Sequence, residues 1–99
     1  MNCEERQLPI PPEANSDADS AELLRAWIAH NGLHCSLNIG SWGDDEAIIW
    51  GILLSDVARH VASALKRDRG VSDTEVLARI REHFNLELDH PTESRGMAN

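Results

Sequence analysis

Apolar and polar residues alternate on both sides of the dipeptide Asn31-Gly32. This dipeptide is the strongest short signal for a two-residue hairpin turn, because a type I′ turn needs positive φ at both central positions. With these two residues as the turn, one register leaves one face mostly polar and gives the other face six apolar residues: Leu24, Ala26, Ile28, Cys35, Leu37 and Ile39. Helix propensity favours an alternative, a helix over residues 21–29. A helix does not explain why apolar and polar residues alternate over residues 33–39, so we predict an antiparallel β-hairpin.

Two amphipathic helices are predicted after the hairpin. The first covers residues 44–69: acidic residues open it, basic residues close it, and Gly70 provides a left-handed stop. The second begins at a capping box of the form S-x-x-E at residues 72–75 and ends by residue 89. Apolar residues recur along both helices at a spacing of three or four; they are Ile49, Leu53, Val57, Val61 and Leu65 in the first, and Val76, Leu77, Ile80, Phe84 and Leu88 in the second.

These elements predict an α+β fold in which the antiparallel β-hairpin packs on the two α-helices as a two-layer sandwich. Residues 21–90 form this single domain in our interpretation, after an extended, proline-containing N-terminal segment (1–20) and before a disordered tail (91–99). The prolines of the first segment are expected to exclude a regular helix there. A two-stranded sheet is marginal in water and both of its edges are open, so we predict a homodimer. Three contacts remain open for it: an edge-to-edge pairing of two hairpins in a four-stranded sheet, the Trp27 face, and the helices.

The net charge of the chain limits the classes of partner that it can bind. Its 99 residues carry a net charge of −8, from 17 acidic and 9 basic residues. A nucleic-acid interface needs a basic stripe and an anionic membrane surface attracts basic segments, so this charge disfavours both. Two cysteines are too few for a disulfide framework, and the polar N-terminus does not resemble a signal peptide. We therefore predict a cytoplasmic protein.

No residue pattern meets the requirements of catalysis or metal binding. His30 and His34 have the spacing of half a zinc site, but on a hairpin they point to opposite faces, and no second pair of ligands accompanies them. Asp56 and His60 are four residues apart on the long helix; that spacing suits proton transfer but is also typical of a local ion pair. Cys35 lies among apolar residues and is predicted to be a buried structural cysteine. We predict no catalytic residue, no metal and no cofactor.

The tryptophans are the best candidates for a binding surface. Trp27 lies on the otherwise polar face of the hairpin, near His34, and Trp42 lies in the loop before the long helix. A tryptophan among polar neighbours is typical of a partner or ligand contact. Trp27, His34 and Trp42, together with Asp56 and His60, are therefore the candidate binding residues. The alternative is that the N-terminal segment covers Trp27.

Several stretches of the chain resemble a known family. They are LPIPPEA at 8–14, ELLRAWI at 22–28, GLHCSLNIG at 32–40, WGILLSDVARHVASAL at 50–65 and IREHFNLELDHPT at 80–92. Together they resemble a family of small, uncharacterised bacterial proteins that share a domain of unknown function and are common in alphaproteobacteria. The resemblance spans nearly the whole chain and implies a bacterial cytoplasmic setting. It implies no activity and no site residues.

Two functions remain open at this point. The first is a small, non-catalytic interaction or structural module that forms a homodimer and contacts a further, unidentified protein. The pattern R-x-x-P-x-x-P at residues 6–12 is typical of such a contact, but the motif is short and common, and we expect a surface strip packed on its own domain instead. The second is a small-molecule-binding protein or minor enzyme with a pocket near Trp27, His34 and Trp42. We expect the first, because the sequence contains no constellation of reactive groups.

Overall fold

A computed structural model describes residues 2–92 of the chain. Its elements in order are a 3₁₀ turn (Cys3–Arg6), α1 (Pro12–Ser16), β1 (Leu24–Ala29), β2 (Gly32–Leu37), a second 3₁₀ turn (Gly43–Asp45), α2 (Glu46–Arg69) and α3 (Asp73–Asp89). A two-stranded antiparallel sheet and two long helices make this an α+β fold, which confirms the predicted fold class.

The hairpin forms where it was predicted, but its strands pair two residues out of the predicted register. His30 and Asn31 are the central turn residues, with φ of 52° and 61°, and Trp27 lies directly opposite His34. The predicted turn at Asn31-Gly32 is therefore wrong by one position. Asparagine and histidine are enriched among non-glycine residues with positive φ, so the chain can turn at these two residues and leave Gly32 as the first residue of β2.

A slip of two residues preserves the face on which each side chain lies, because side chains along a strand alternate with a period of two. The predicted apolar face is therefore present with different partners, and we call it the apolar hairpin face. It consists of three cross-strand pairs: Leu24 with Leu37, Ala26 with Cys35, and Ile28 with Leu33. The opposite, polar hairpin face carries Trp27 and His34.

Local caps explain where the two long helices end and begin. α2 ends at Gly70, which has φ of 71° and donates its N–H to the Lys66 carbonyl oxygen. α3 begins after Ser72, whose hydroxyl oxygen accepts the Glu75 N–H at 3.3 Å, as a capping box requires. An ion pair between Lys66 and Asp73 at 3.9 Å joins the two ends. α3 and the end of α2 thus lie where the sequence predicts, whereas α2 begins two residues later than predicted, at Glu46, because a 3₁₀ turn occupies Gly43–Asp45.

The two layers are both present, but the sheet does not pack on the helices. α2 and α3 pack on each other, whereas no Cα atom of either strand comes within 8 Å of a Cα atom of either helix. Ala62 of α2, 1 % exposed, is the one buried residue in the part of the chain that the structure describes. The radius of gyration is 15.6 Å, above the ~13 Å of a compact chain of this length.

Open packing changes the environment of the cysteine in β2. Cys35 is exposed, so the prediction of a buried structural cysteine is wrong for the single chain. The reason is that no helix covers the apolar hairpin face, where Ile28 and Leu37 are 65 % and 52 % exposed.

The N-terminal segment is extended only in part. One short helix forms at Pro12–Ser16, so the expectation that prolines exclude a helix from this segment is wrong there. Proline is tolerated in the first turn of a helix, where its missing N–H leaves no bond unmade.

At the C-terminal end of the described chain, the Thr92 N–H donates to the Glu87 carboxylate at 2.8 Å. Residues 93–99 of the predicted tail lie outside the described residues.

Candidate functional site

The polar hairpin face places two of the five candidate residues side by side. Trp27 is half-buried and His34 is exposed, and they form a directly opposed cross-strand pair. The His34 Nε2–H donates to the Ala29 carbonyl oxygen at 3.1 Å, which fixes the imidazole next to the turn. This tautomer leaves Nδ1 as an acceptor on the ring. The pair therefore offers an aromatic surface beside one imidazole acceptor.

A groove of about 630 Å³ lies between the N-terminal segment and β1. Leu8 and Ile10 line it on one side, and Arg25 and Trp27 line it on the other. Leu8 and Ile10 remain 87 % and 63 % exposed, so the segment lies beside Trp27 without packing over it. The volume is in the range of small-molecule pockets, although the Arg25 guanidinium already pairs with Glu22 at 2.8 Å.

One carboxylate fixes the loop that joins the hairpin to α2. Glu46 accepts the Gly40 N–H at 2.9 and 3.0 Å and the Trp42 N–H at 3.4 Å. It also accepts the Trp50 indole N–H at 3.0 Å. Gly40 has φ of 99°, which residues with a side chain rarely adopt. We call Gly40, Trp42, Glu46 and Trp50 the elbow, because their contacts order the loop that joins β2 to α2.

Aromatic packing and charge both stabilise the elbow. Trp42 packs edge-on against Trp50, with ring centroids 6.3 Å apart and ring planes at 80°. Hydrogen bonds from the Gly40 amide, then the Trp50 indole and the Trp42 amide, hold the pKa of Glu46 below its usual value, although partial desolvation acts in the opposite direction. The carboxylate is therefore ionised at neutral pH, when its acceptor strength is greatest.

The remaining two candidates lie on the exposed side of α2. Asp56 pairs with Arg59 at 3.2 Å, with both side chains more than half exposed. Within residues 2–92 the carboxylate of Asp56 forms no ion pair with His60. An exposed pair of this kind contributes little to stability and orients no imidazole.

The five candidate residues thus lie in three separate places. Trp27 and His34 are on the polar hairpin face, Trp42 is in the elbow, and Asp56 and His60 are on α2. Because the strands do not approach α2, the structure does not bring these side chains together. Residues 2–92 also contain no group of three or more His, Cys, Asp or Glu side chains placed to hold a metal ion.

Exposed apolar surface is the most extensive feature of the described chain. Besides the apolar hairpin face, α2 exposes Ile48 and Ile52 by 63 % and 54 %, and it exposes Leu54, Val57 and Val61 by 40–43 % each. The last three have a spacing of i, i+3 and i+7, which puts them on one side of the helix, and we call them the α2 stripe. By length and composition alone, the stretch Gly43–Arg69 is apolar enough to cross a membrane, and almost none of its apolar window is buried.

Sequence reasoning missed the role of Glu46 and one wall of the groove. The prediction treated Asp44, Asp45 and Glu46 together as acids at the positive end of a helix dipole. The signal that separates Glu46 is Trp50, four residues later, since side chains at i and i+4 meet on a helix. No comparable signal marks the groove, because its outer wall depends on the path of residues 6–15.

Comparison with known proteins gives a family and similar solved structures. The model of a family described as "Domain of unknown function (DUF5076)" matches residues 7–92. The chain is also similar to a solved structure described as "Structure of a putative pyruvate dehydrogenase from the photosynthetic bacterium Rhodopseudomonas palustrus CGA009". The two are 35 % identical over 94 % of this chain and 93 % of the other, with a TM-score of 0.66. No curated protein matches the chain.

Proposed function

Since the chain belongs to the DUF5076 family, whose description gives no activity, we propose from its surface that it is a small, non-catalytic interaction module that works as a homodimer. The observation that carries this proposal is the uncovered layer of the fold. The apolar hairpin face meets no helix of its own chain, and Ile28 on that face is 65 % exposed. A sheet with one apolar face is stable only when another layer covers that face.

The exposed area supports the same conclusion. The chain exposes 8497 Å², whereas a folded monomer of 11.0 kDa exposes roughly 5,600 Å². The difference is about 2,900 Å² per chain, or about 5,800 Å² for two copies. Obligate dimers bury about 2,000–5,000 Å² or more, counted over both partners, so a dimer interface accounts for most of this excess.

A second copy explains the apolar surface of α2 better than a bilayer does. Asp56 and Arg59 lie near the middle of the stretch Gly43–Arg69. Charged residues at the centre of a membrane-spanning helix are costly, by about 2.5–3.5 kcal/mol each on insertion scales. In a dimer the same residues face water beside the interface. We therefore keep the prediction of a cytoplasmic protein.

Light scattering coupled to size-exclusion chromatography tests this proposal. We expect the wild-type chain to elute at twice its monomer mass over a wide range of concentrations. Ile28→Glu puts a charge on the apolar hairpin face and is expected to give a monomer. Ser36→Glu is the matched control, because Ser36 is also exposed on a strand but lies on the polar hairpin face. A wild-type monomer at every concentration would refute the proposal, as would a monomer produced equally by both variants.

A second candidate function rests on the groove beside Trp27. Its volume of about 630 Å³ and its aromatic lining suit a small aromatic molecule. The test is a thermal-shift screen of common metabolites, in which a true ligand raises the melting temperature of the wild-type chain but not of Trp27→Ala. The name of the similar structure points to a dehydrogenase, but here the candidate side chains lie in three places, so we propose no dehydrogenase site.

A further inference from the structure

We infer that the two copies exchange layers: the apolar hairpin face of each copy covers the α2 stripe of the other. This inference rests on the proposed homodimer and specifies which surfaces meet in it. The contact is made twice in one dimer, and its two sides are different surfaces of the chain. The partner is therefore a second copy of this chain, and the helices of each copy cover the hairpin of the other.

Pairing of strand edges alone does not cover the exposed apolar hairpin face. If two hairpins met edge to edge, backbone hydrogen bonds would continue across a four-stranded sheet. Both apolar hairpin faces would still be open to water, because edge pairing covers no face of a sheet. A second layer must lie against the face to remove Ile28 and Leu37 from water, and in an α+β fold that layer is helical.

The elbow is ordered in a chain whose own helical layer does not reach the hairpin. Glu46 holds Gly40 and Trp42 by their backbone amides and Trp50 by its indole. Gly40, at φ of 99°, lies where the chain leaves the hairpin. These contacts fix the path of the loop while the strands stay more than 8 Å from α2 and α3 by Cα distance. The loop between the hairpin and α2 is thus ordered by specific hydrogen bonds while the two layers stay apart.

The α2 stripe is the helical surface that suits the apolar hairpin face. Leu54, Val57 and Val61 run along one side of α2, while Ala62 turns into the packing between the helices. A helix that is apolar around most of its circumference is typical of a position between two layers. α3 covers one side of α2, and a hairpin from the second copy covers the other.

Complementation between two variants tests the exchange directly. Ile28→Glu disables the hairpin side of the contact and Val57→Glu disables the helix side. Neither variant alone retains an intact contact, so each is expected to be monomeric. In an equimolar mixture, the intact hairpin of the Val57→Glu chain meets the intact α2 stripe of the Ile28→Glu chain. We expect a mixed dimer, identified by native mass spectrometry because the two substitutions change the mass by different amounts.

The matched control places both substitutions in one chain and mixes it with the wild-type chain. The same four surfaces are then present, but no dimer between the double variant and the wild type has an intact contact, so none is expected. Where a single variant unfolds, recovery of helical circular dichroism on mixing replaces recovery of the dimer. A Ser63→Glu chain, altered on α2 outside the stripe, is expected to dimerise as the wild type does.

The outcomes separate this inference from the proposed function. A wild-type dimer with no mixed dimer from the two single variants would overturn the exchange and leave self-association in place. Mixed dimers formed equally by both mixtures, or single variants that still dimerise, would also overturn it. A wild-type chain that is monomeric throughout would overturn the proposed function itself.

Discussion

Turn and cap residues in the sequence indicate both the helical pair and the hairpin clearly. The two helices pack on each other, whereas the hairpin packs on neither of them. Between α2 and α3, the chain turns at Gly70, α3 is capped by Ser72, and Ala62 is buried where the two helices meet. The hairpin has a complete ladder and a well-formed turn at His30 and Asn31. Its apolar face nevertheless remains open to water.

This difference separates two kinds of information in one sequence. Turns and caps act between residues close in the chain, so each region forms them alone. Covering a face requires another layer, and within residues 2–92 the hairpin does not approach the helical layer. The helical pair is therefore a unit whose packing is internal, whereas the packing of the hairpin depends on association.

Ala62→Asp gives the largest expected effect, because it attacks the internal packing. An unpaired carboxylate at a position that is 1 % exposed is expected to cost about 3 kcal/mol or more. Urea unfolding followed by helical circular dichroism measures the loss. Ser63→Asp is the control, since Ser63 is the next residue of α2 and is exposed. Equal stability of the two variants would show that the helices do not pack through Ala62.

Asn31→Val is expected to disrupt the hairpin while sparing the helices. Asn31 has φ of 61°, and a β-branched residue in that conformation costs about 1–2 kcal/mol. Asn31→Gly, which adopts positive φ freely, is the matched control and is expected to be at least as stable as the wild type. Amide hydrogen exchange of β1 and β2 is the measurement. Unchanged protection in Asn31→Val would contradict the observed turn and its register.

Ser72→Ala tests the cap of α3 with a smaller effect. Loss of the hydroxyl that accepts the Glu75 N–H is expected to lower the free energy of unfolding by about 1 kcal/mol. Ser55→Ala is the control, because the Ser55 hydroxyl donates to the Ile52 carbonyl oxygen within α2 and caps nothing. Urea denaturation of both variants gives the comparison, and a neutral Ser72→Ala would mean that the cap does not act.

The smallest expected effect is the pH dependence of the elbow. The pKa of Glu46 is lowered from 4.5 in the folded chain. Its stabilisation is therefore fully present above that value and is lost as the pH falls through the folded pKa. We expect Glu46→Gln to lower the melting temperature at neutral pH and to weaken the loss of stability in acid.

Part of the acid dependence is expected to remain in Glu46→Gln. The hydroxyl of Thr92 first, then its amide, lowers the pKa of Glu87 as well, so Glu87 titrates in the same direction. Glu87→Gln is the control that removes only this second contribution. Identical acid unfolding of the wild-type chain and Glu46→Gln would contradict the role of the carboxylate in the elbow.

Local patterns made most of the fold predictable from the sequence. The S-x-x-E cap and Gly70 gave the ends of the helices, and alternation gave both faces of the hairpin even though the turn was misplaced by one residue. That error arose because Asn31 fits either central position of the turn. The exposure of Cys35 and the separation of the candidate residues were not predictable, since both depend on where the hairpin lies relative to the helices.

The most direct measurement for the dependence of the fold on a second copy is the melting temperature as a function of protein concentration. When unfolding and dissociation are coupled, each tenfold increase in concentration stabilises the dimer by about 1.4 kcal/mol. We predict that the melting temperature rises steadily with concentration in the wild-type chain. It should become independent of concentration in Ile28→Glu. A wild-type melting temperature that does not change with concentration, in a chain that light scattering finds to be monomeric, would contradict the conclusion that association completes the fold.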